Sequence, residues 1–535
     1  MAASASLNGK ATPIQPMKEL GAYGASRWLL LFGFVLASIL EVLDTSIINP
    51  VLPTMAGNLG CTTQEIGWVS TSYILANVIV LPMTAWLSRR FGLKNYILAS
   101  IAGFLVASVM CGLVHGLGQM IVCRLFQGAC GAALISVTQA AITEVFPKRE
   151  QTIAQSSWAL GITVAPSLAP TLGGWITDNY AWPWIFFINV PLGLGAMYVI
   201  GSLYKSEAPQ KVGGVDWLGI GLLAVGLGSI QYVLEEGQTN DWFQSGLILR
   251  LTVLGVASCA AFIYWQLSKR NTKPVVDIRV MRDFGLSSAV IVMFVAGLGL
   301  YAGTFMFPLF AQSILGFSPL QSGNFLLIPG VVLAFAMVFT GTMMQNKVPG
   351  RDLALVGLII EVISMWMLGH VTPMSNQTDA QLALDLSRLG IGMLMLSVIV
   401  AGVGNLKADA VRQGTALMGL ARQLGGSFGI AWASTYVVQM TQFHRYDIAA
   451  KLSHGSPVAT DRLNLMTGAF HAQGMDTAKA HSAALAVMDG QISAQAYTMA
   501  FNNVQIAIMI LFAVAIPILF LMKRTSGGDT SVAAH

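Results

Sequence analysis

Two carboxylates three residues apart inside an apolar run, Glu41 and Asp44, are the strongest chemical signal in the chain. That spacing puts both on one helix face, and an ionisable side chain at membrane depth costs about 2.5 to 3.5 kcal/mol on insertion scales. Two acids so placed cannot both stay ionised cheaply without two partners, which marks the pair as a site for taking up and releasing protons. Arg124, three residues before Gln127 in another apolar run, is placed to tune them. Glu361, alone among Ile and Met, and Arg422, followed by Gln423, complete the candidates at that depth. Asn49, Gln127, Arg422 and Gln423 are the polar candidates for a substrate path. The competing reading, open above all for Arg422, is that acids and arginines pair only to hold a bundle together. Histidine, the usual alternative proton carrier, is not available at depth. His115 and His370 fall at run ends, His444, His454, His471 and His481 lie in the segment 441–497, and the seventh is His535.

The elements that must position these residues follow from composition. Of 535 residues, 55% are apolar and only 10% are charged, whereas soluble domains run near 25% charged. A helix needs about 20 apolar residues to cross the roughly 30 Å hydrocarbon core, and fourteen such runs can be placed between 28–52 and 498–522. They are too long and too uniformly apolar for transmembrane strands. Alternate connections hold nearly all of the 29 Lys and Arg, among them Arg27, Arg89, Arg90, Lys94, Lys148, Arg149, Lys205, Lys211, Lys273, Lys347, Lys407, Arg412, Lys523 and Arg524. None falls in the opposite short connections 53–64, 178–181, 235–245 and 371–383. The positive-inside rule therefore places both termini in the cytoplasm. The net charge of +5 is weak and forms no basic stripe with interleaved aromatics, which excludes nucleic acid as the main partner.

Enzyme and cofactor signatures are missing: there is no P-loop, HExxH, GxSxG or CxxC arrangement. The five cysteines read as packing residues, with Cys123 and Cys130, seven apart on one helix face, as the pair worth checking for a metal. The chain is expected not to be an enzyme and to carry no metal or cofactor. Its energy then comes from an ion gradient or from a partner, and one charge crossing 100 mV is worth about 2.3 kcal/mol. The fifth run carries Gly161, Pro166, Pro170, Gly173 and Gly174, which should bend the helix and let a neighbour approach closely. Gly425, Gly426 and Gly429 form a similar face. Of the 26 Met, Met293, Met306, Met337, Met365, Met393 and Met395 suit either core filling or a flexible binding surface.

Taken together these residues resemble the fourteen-span drug:proton antiporters of the major facilitator superfamily, the EmrB/QacA-type multidrug exporters. Leu43-Asp44-Thr45-Ser46-Ile47-Ile48-Asn49-Pro50-Val51-Leu52-Pro53 is similar to the family's first-span signature. Gly67-Trp68-Val69 with Thr71-Ser72-Tyr73 resembles the opening of the second span. Arg124, Gln127 and Gly128 match the fourth-span motif, and Pro170, Gly173 and Gly174 match the antiporter motif of the fifth. Trp182 to Gly193 resembles the sixth-span block. In the conformational loop motif between spans two and three, Arg89, Arg90, Gly92 and Lys94 are the matching region, with Arg89 where the superfamily has Asp and Ala85 where it has Gly. Ala169 also replaces a Gly before Pro170.

The resemblance implies an all-α polytopic membrane protein of the major facilitator fold, with two six-helix bundles, 28–204 and 284–522, and two linking helices within 205–283. Tails 1–27 and 523–535 would be cytoplasmic and 441–497 an outer loop. It implies proton-coupled export of hydrophobic compounds across the inner membrane by alternating access. Asp44, Glu41, Arg124 and Glu361 are the expected coupling residues. A periplasmic membrane-fusion adaptor and an outer-membrane channel are the implied partners, beside the lipid bilayer and small hydrophobic substrates. A proton symporter importing a metabolite, and a transport-inactive scaffold or sensor, remain the alternatives.

Overall fold

The computed structural model describes Gly24 and residues 26–522, apart from 206–213, 272–273, 275, 277, 373–376, 405, 407 and 454–456. Most of both tails, Lys211, Lys273, Lys407, Lys523, Arg524 and His454 therefore lie outside the described residues, as do the side chains of Lys148, Arg149, Pro166 and Arg412.

Helices fill every apolar run. The first six runs become α1 (Ser26–Ile47) with α2 (Leu52–Leu59), α3 (Gly67–Val80) with α4 (Thr84–Phe91), α5 (Leu93–Gly112), α6 (Leu117–Gly131) with α7 (Leu134–Val145), α8 (Lys148–Asn179), and α9 (Trp184–Phe187) with α10 (Asn189–Leu203). The linking pair is α11 (Trp217–Glu236) and α12 (Gly246–Leu267). Then follow α13 (Phe284–Ser313), α14 (Pro319–Gln345), α15 (Gly350–Leu368), α16 (Gln377–Val403), α17 (Ala408–Ser453), α18 (Pro457–Ala472) and α19 (Thr477–Leu519). Ten of these helical stretches are long and apolar enough to cross a membrane. α15 falls short on composition because Arg351, Asp352 and Glu361 put three charges in one helix. Pro50 and Pro82 explain two of the breaks, since each removes a backbone donor and starts a 3-10 turn. In the fifth run α8 is helical without a break through positions 166 and 170.

Contacts between helix ends define two poles. At the near pole Arg27 at the start of α1 pairs with Glu150 at the start of α8 at 2.9 Å, and Lys94 donates to the Gly201 carbonyl at the end of α10 at 2.7 Å. Arg351, at the start of α15, lies over the Phe520 ring just past α19. The polar contacts that join the first six runs to the last six, among the described residues, lie at the far pole. Gln312 donates to the Pro50 carbonyl at 2.5 Å, and Asp178 accepts from Ser318 Oγ at 2.9 Å and from Leu320 N–H at 3.1 Å. Along the same seam glycines allow main chain to meet main chain, because a Cβ at Gly174 would stand 2.4 Å from the Pro319 carbonyl and one at Gly323 2.2 Å from that of Pro170. The far pole is shut.

The segment expected as an outer loop, 441–497, is helical. α17 runs on to Ser453, α18 packs on α19, and α19 begins at Thr477. Arg445–Asp489 and Lys451–Asp447 contacts of 2.7 Å each use the acids that balance this stretch.

Candidate functional site

α1 delivers Glu41 and Asp44, and the fold sends the two acids to different partners. Asp44, 1% exposed, is paired with Arg124, also 1% exposed. Its other oxygen accepts from Gln127 Nε2 at 2.8 Å and from Asn189 Nδ2 at 3.0 Å. Three residues separate Arg124 from Gln127 on α6, so both side chains leave one face, and Arg124 also donates to Gln127 Oε1 at 2.8 Å. The guanidinium is held further by the Val69 carbonyl at 2.9 Å and by the Tyr73 ring, 4.4 Å from its centroid. This packing requires α6 to approach α3 closely at Gly128, where a Cβ would sit 2.2 Å from the Tyr73 carbonyl. Four helices thus converge on one desolvated ion pair, with hydrogen bonds that offset its desolvation cost.

Glu41 instead turns to a cavity. It accepts from Asn77 Nδ2 at 2.9 Å and from the Ile135 N–H at 3.3 Å. The second donor is free because the fourth run breaks between α6 and α7, leaving first-turn amides of α7 without helical acceptors. The cavity, about 410 Å³, takes Glu41, Asn49, Tyr73, Asn77, Arg124 and Pro170 from the first six runs. From the last six it takes Arg388, Arg422, Gln423, Tyr301, Thr304 and the methionines Met293, Met337 and Met395. Arg422 donates to Tyr301 Oη at 3.3 Å, and Arg388 to Thr304 Oγ1 at 2.7 Å. One carboxylate on one side therefore faces two guanidinium groups on the other across a space whose walls are mainly apolar. Ser70 Oγ, Asn77 Oδ1 and Gln423 Oε1 have no partner among the described residues.

Several expectations are corrected by this geometry. The two acids of the first run do not crowd each other into one shared site. Glu361 is fully buried on α15, bonded to Ser387 Oγ at 2.9 Å, and is not part of the cavity wall. Arg422 holds a tyrosine rather than a carboxylate. Gln127 belongs to the Asp44 network and not to the cavity. Met306, Met365 and Met393 are core, so the methionines divide between the two readings. Cys123 lies beside Cys111, whereas Cys130 packs over Gly103, so the seven-residue pair is not brought together.

Asn189, Tyr73, Asn77 and Arg388 were missed as site residues. Asn77 and Arg388 each stood out only as a polar residue in an apolar run, a signal that many packing residues share, whereas Asn189 and Tyr73 lie inside the quoted sixth-span and second-span blocks. In the loop motif Arg89 and Arg90 end α4, and Lys94 ties α5 to α10. Gly92 has φ +82° and ψ 143°, a region open essentially to glycine alone. Gly92→Val should cost about 1 to 3 kcal/mol and lower the thermal unfolding temperature of the detergent-solubilised protein, whereas Leu93→Val should not.

The sequence matches the model of the Major Facilitator Superfamily over residues 34–430. It is 29% identical over 506 residues to the fatty acid resistance protein FarB of Neisseria gonorrhoeae, covering 92% of this chain and 96% of that protein. It is 29% identical to the multidrug export protein EmrB of Haemophilus influenzae, covering 82% and 85%. The fold matches the crystal structure of a bacterial homologue of the human lysosomal transporter Spinster, with TM-score 0.59, 16% identity and coverage of 92% and 96%. The chain belongs to the Major Facilitator Superfamily, as a multi-pass membrane transporter and not an enzyme.

Proposed function

We propose that the protein is a proton-coupled antiporter that exports hydrophobic drugs or toxic compounds across the cytoplasmic membrane, driven by the proton gradient without a bound cofactor. All fourteen apolar runs would cross, with the near pole and both termini in the cytoplasm, as the distribution of Lys and Arg requires. The observation that carries the reading is the position of Glu41, a carboxylate in the wall of a mainly apolar cavity, with no cation bonded to it among the described residues and with Arg388 and Arg422 opposite. With the far pole shut, Glu41 gives its proton to the cytoplasm. A compound then enters, the bundles rock to open the far pole, and a proton from outside restores Glu41 as the compound leaves. The names of FarB and EmrB support a hydrophobic, varied cargo, and so do the Met-rich walls.

The bundles 28–204 and 284–522 would be the rocking units, with 205–283 as the link. Asp44 and Arg124 would fix the geometry around Glu41 and transmit its state to α3 and α6. The helical projection 441–497 would be the dock for a periplasmic adaptor that leads to an outer-membrane channel. Exposed Phe443, Tyr446 and Leu465 support that reading.

Glu41→Gln tests the coupling, because glutamine keeps the acceptor for Asn77 and removes the titration, at the cost of the weaker 3.3 Å acceptor for the Ile135 N–H. In proteoliposomes, drug-stimulated proton movement should fall to the background of empty vesicles while drug binding stays within about threefold of wild type. Unchanged proton movement would overturn the role of Glu41. Dye that accumulates in energised cells, instead of leaving them, would favour the symporter reading.

A further inference from the structure

The two seams that shut the far pole are built differently. At one, α8 and α14 meet through glycines, main chain on main chain. At the other, α3 meets α17, and the linking helix α11 packs against both. Polar side chains fasten it there. Gln64, just before α3, donates to the Glu235 carbonyl at 2.7 Å and reaches Thr435 Oγ1 of α17 at 3.4 Å. Thr435 in turn donates to the Leu234 carbonyl at 2.8 Å. Deeper along α11, Ser427 of α17 donates to Gln231 Oε1 at 3.0 Å.

The Glu235 carboxyl is the buried group at the centre of this seam. It is 2% exposed. Oε2 accepts weakly from Ser434 Oγ at 3.5 Å, Oε1 makes no well-formed hydrogen bond among the described residues, and the Thr71 and Gln231 side chains lie beside the carboxyl. A Cβ at Gly67 would lie 3.3 Å from Oε2, so glycine is what lets α3 close over it. The titratable groups around it are few. Glu236 accepts from Trp68 Nε1 at 3.0 Å, Tyr232 lies against the Trp68 ring, and Glu65 is bonded to Thr62. From α17 Ser434 and Thr435 face this end of α11, and the Phe305 ring of α13 lies by Gly67. No described ion pair includes Glu235.

We propose that Glu235 is a proton-binding site, distinct from Glu41 and Asp44, that locks the α3/α11/α17 seam shut when it carries a proton. An ionised carboxylate buried without a cation is costly, so the closed seam favours the protonated form. Parting α3 from α17 admits water and removes that cost. By linkage, a group that binds its proton more tightly in the closed state holds that state closed at low external pH and releases it at high pH. The link between the bundles thereby acts as a proton-operated latch on the far pole, whose identity as the external side rests on the topology proposed above.

Hydrogen exchange of the intact protein in lipid nanodiscs tests this without added labels. Peptides covering 67–75 and 430–437 should exchange at least about tenfold faster at about pH 9 than at about pH 6, after correction for the intrinsic rate. Glu235→Gln, a permanent mimic of the protonated form, should stay protected at both pH values, and Glu235→Asp should keep the pH response. Glu41→Gln should keep it as well, so a failure of the antiport proposal, read from proton movement, is distinguishable from a failure here. No pH response in the wild-type seam overturns the proposal whatever the variants do. The same response in Glu235→Gln as in wild type overturns it too, as does a response lost in Glu41→Gln but kept in Glu235→Gln.

Discussion

Asp44→Asn is expected to abolish drug-stimulated proton release from proteoliposomes and to lower the thermal unfolding temperature in the same preparation. The physical reason is that Asp44 is the counter-charge of a guanidinium that is almost fully buried. Removing one partner of a buried pair typically costs about 3 to 5 kcal/mol, because the other charge stays behind uncompensated. Asparagine also has one acceptor oxygen where Asp44 has two, and donors from Arg124, Gln127 and Asn189 converge there. At least one of them loses its partner, and the amide nitrogen meets donors instead of acceptors. The double variant Asp44→Asn with Arg124→Gln removes both charges. It should recover much of the stability and none of the transport, with a coupling energy of about 1 kcal/mol or more. Wild-type proton exchange in Asp44→Asn would sink the role assigned to this pair.

The second large effect concerns the glycine seam. Gly174→Val should raise proton leak across drug-free proteoliposomes at least about tenfold, since a shift of about 1.4 kcal/mol between two states is a tenfold change in their ratio. A Cβ at Gly174 would meet the Pro319 carbonyl at 2.4 Å and Leu320 Cα at 2.6 Å, and neither is a side chain that can swing aside. Overpacking of this kind costs about 1 to 3 kcal/mol, and here the cost is relieved by parting α8 from α14, which opens the far pole. Gly173→Val is the control within one bundle. Its Cβ would meet the Ile47 carbonyl of α1 at 2.2 Å, so it should lower the unfolding temperature without favouring either state. Equal leak in both variants would show that the seam is not the gate.

Much of the fold was legible in the apolar runs, because a bilayer leaves helices as the way to satisfy backbone polar groups over such lengths. Helix ends were less legible. The segment 441–497 reads as a connector by composition, yet its helices continue because packing of α18 on α19, and not hydropathy, decides their length. The site was legible in part. Arg124 and Gln127 share a face by spacing alone, and Glu41 and Asp44 do too. Asn77 and Arg388 were not, since nothing local distinguishes a polar residue that meets a partner on another helix from one that bonds its own backbone. Glu235 is the first residue of the short connection 235–245 by sequence, and α3 and α17 bury it.

By itself the composition of the sequence determined that this chain is an all-helical membrane protein with a short set of ionisable groups at depth. Those properties follow from hydropathy and charge, which are sums over residues and need no knowledge of neighbours. The tertiary structure alone decided that Asp44 is sealed against Arg124 while Glu41, one turn away, faces the cavity. It also decided that Glu361 stands behind the wall and that Glu235 sits in the seam of the gate. Partner choice depends on which helices approach and how closely, and here that is set by glycines meeting main chain from distant parts of the sequence.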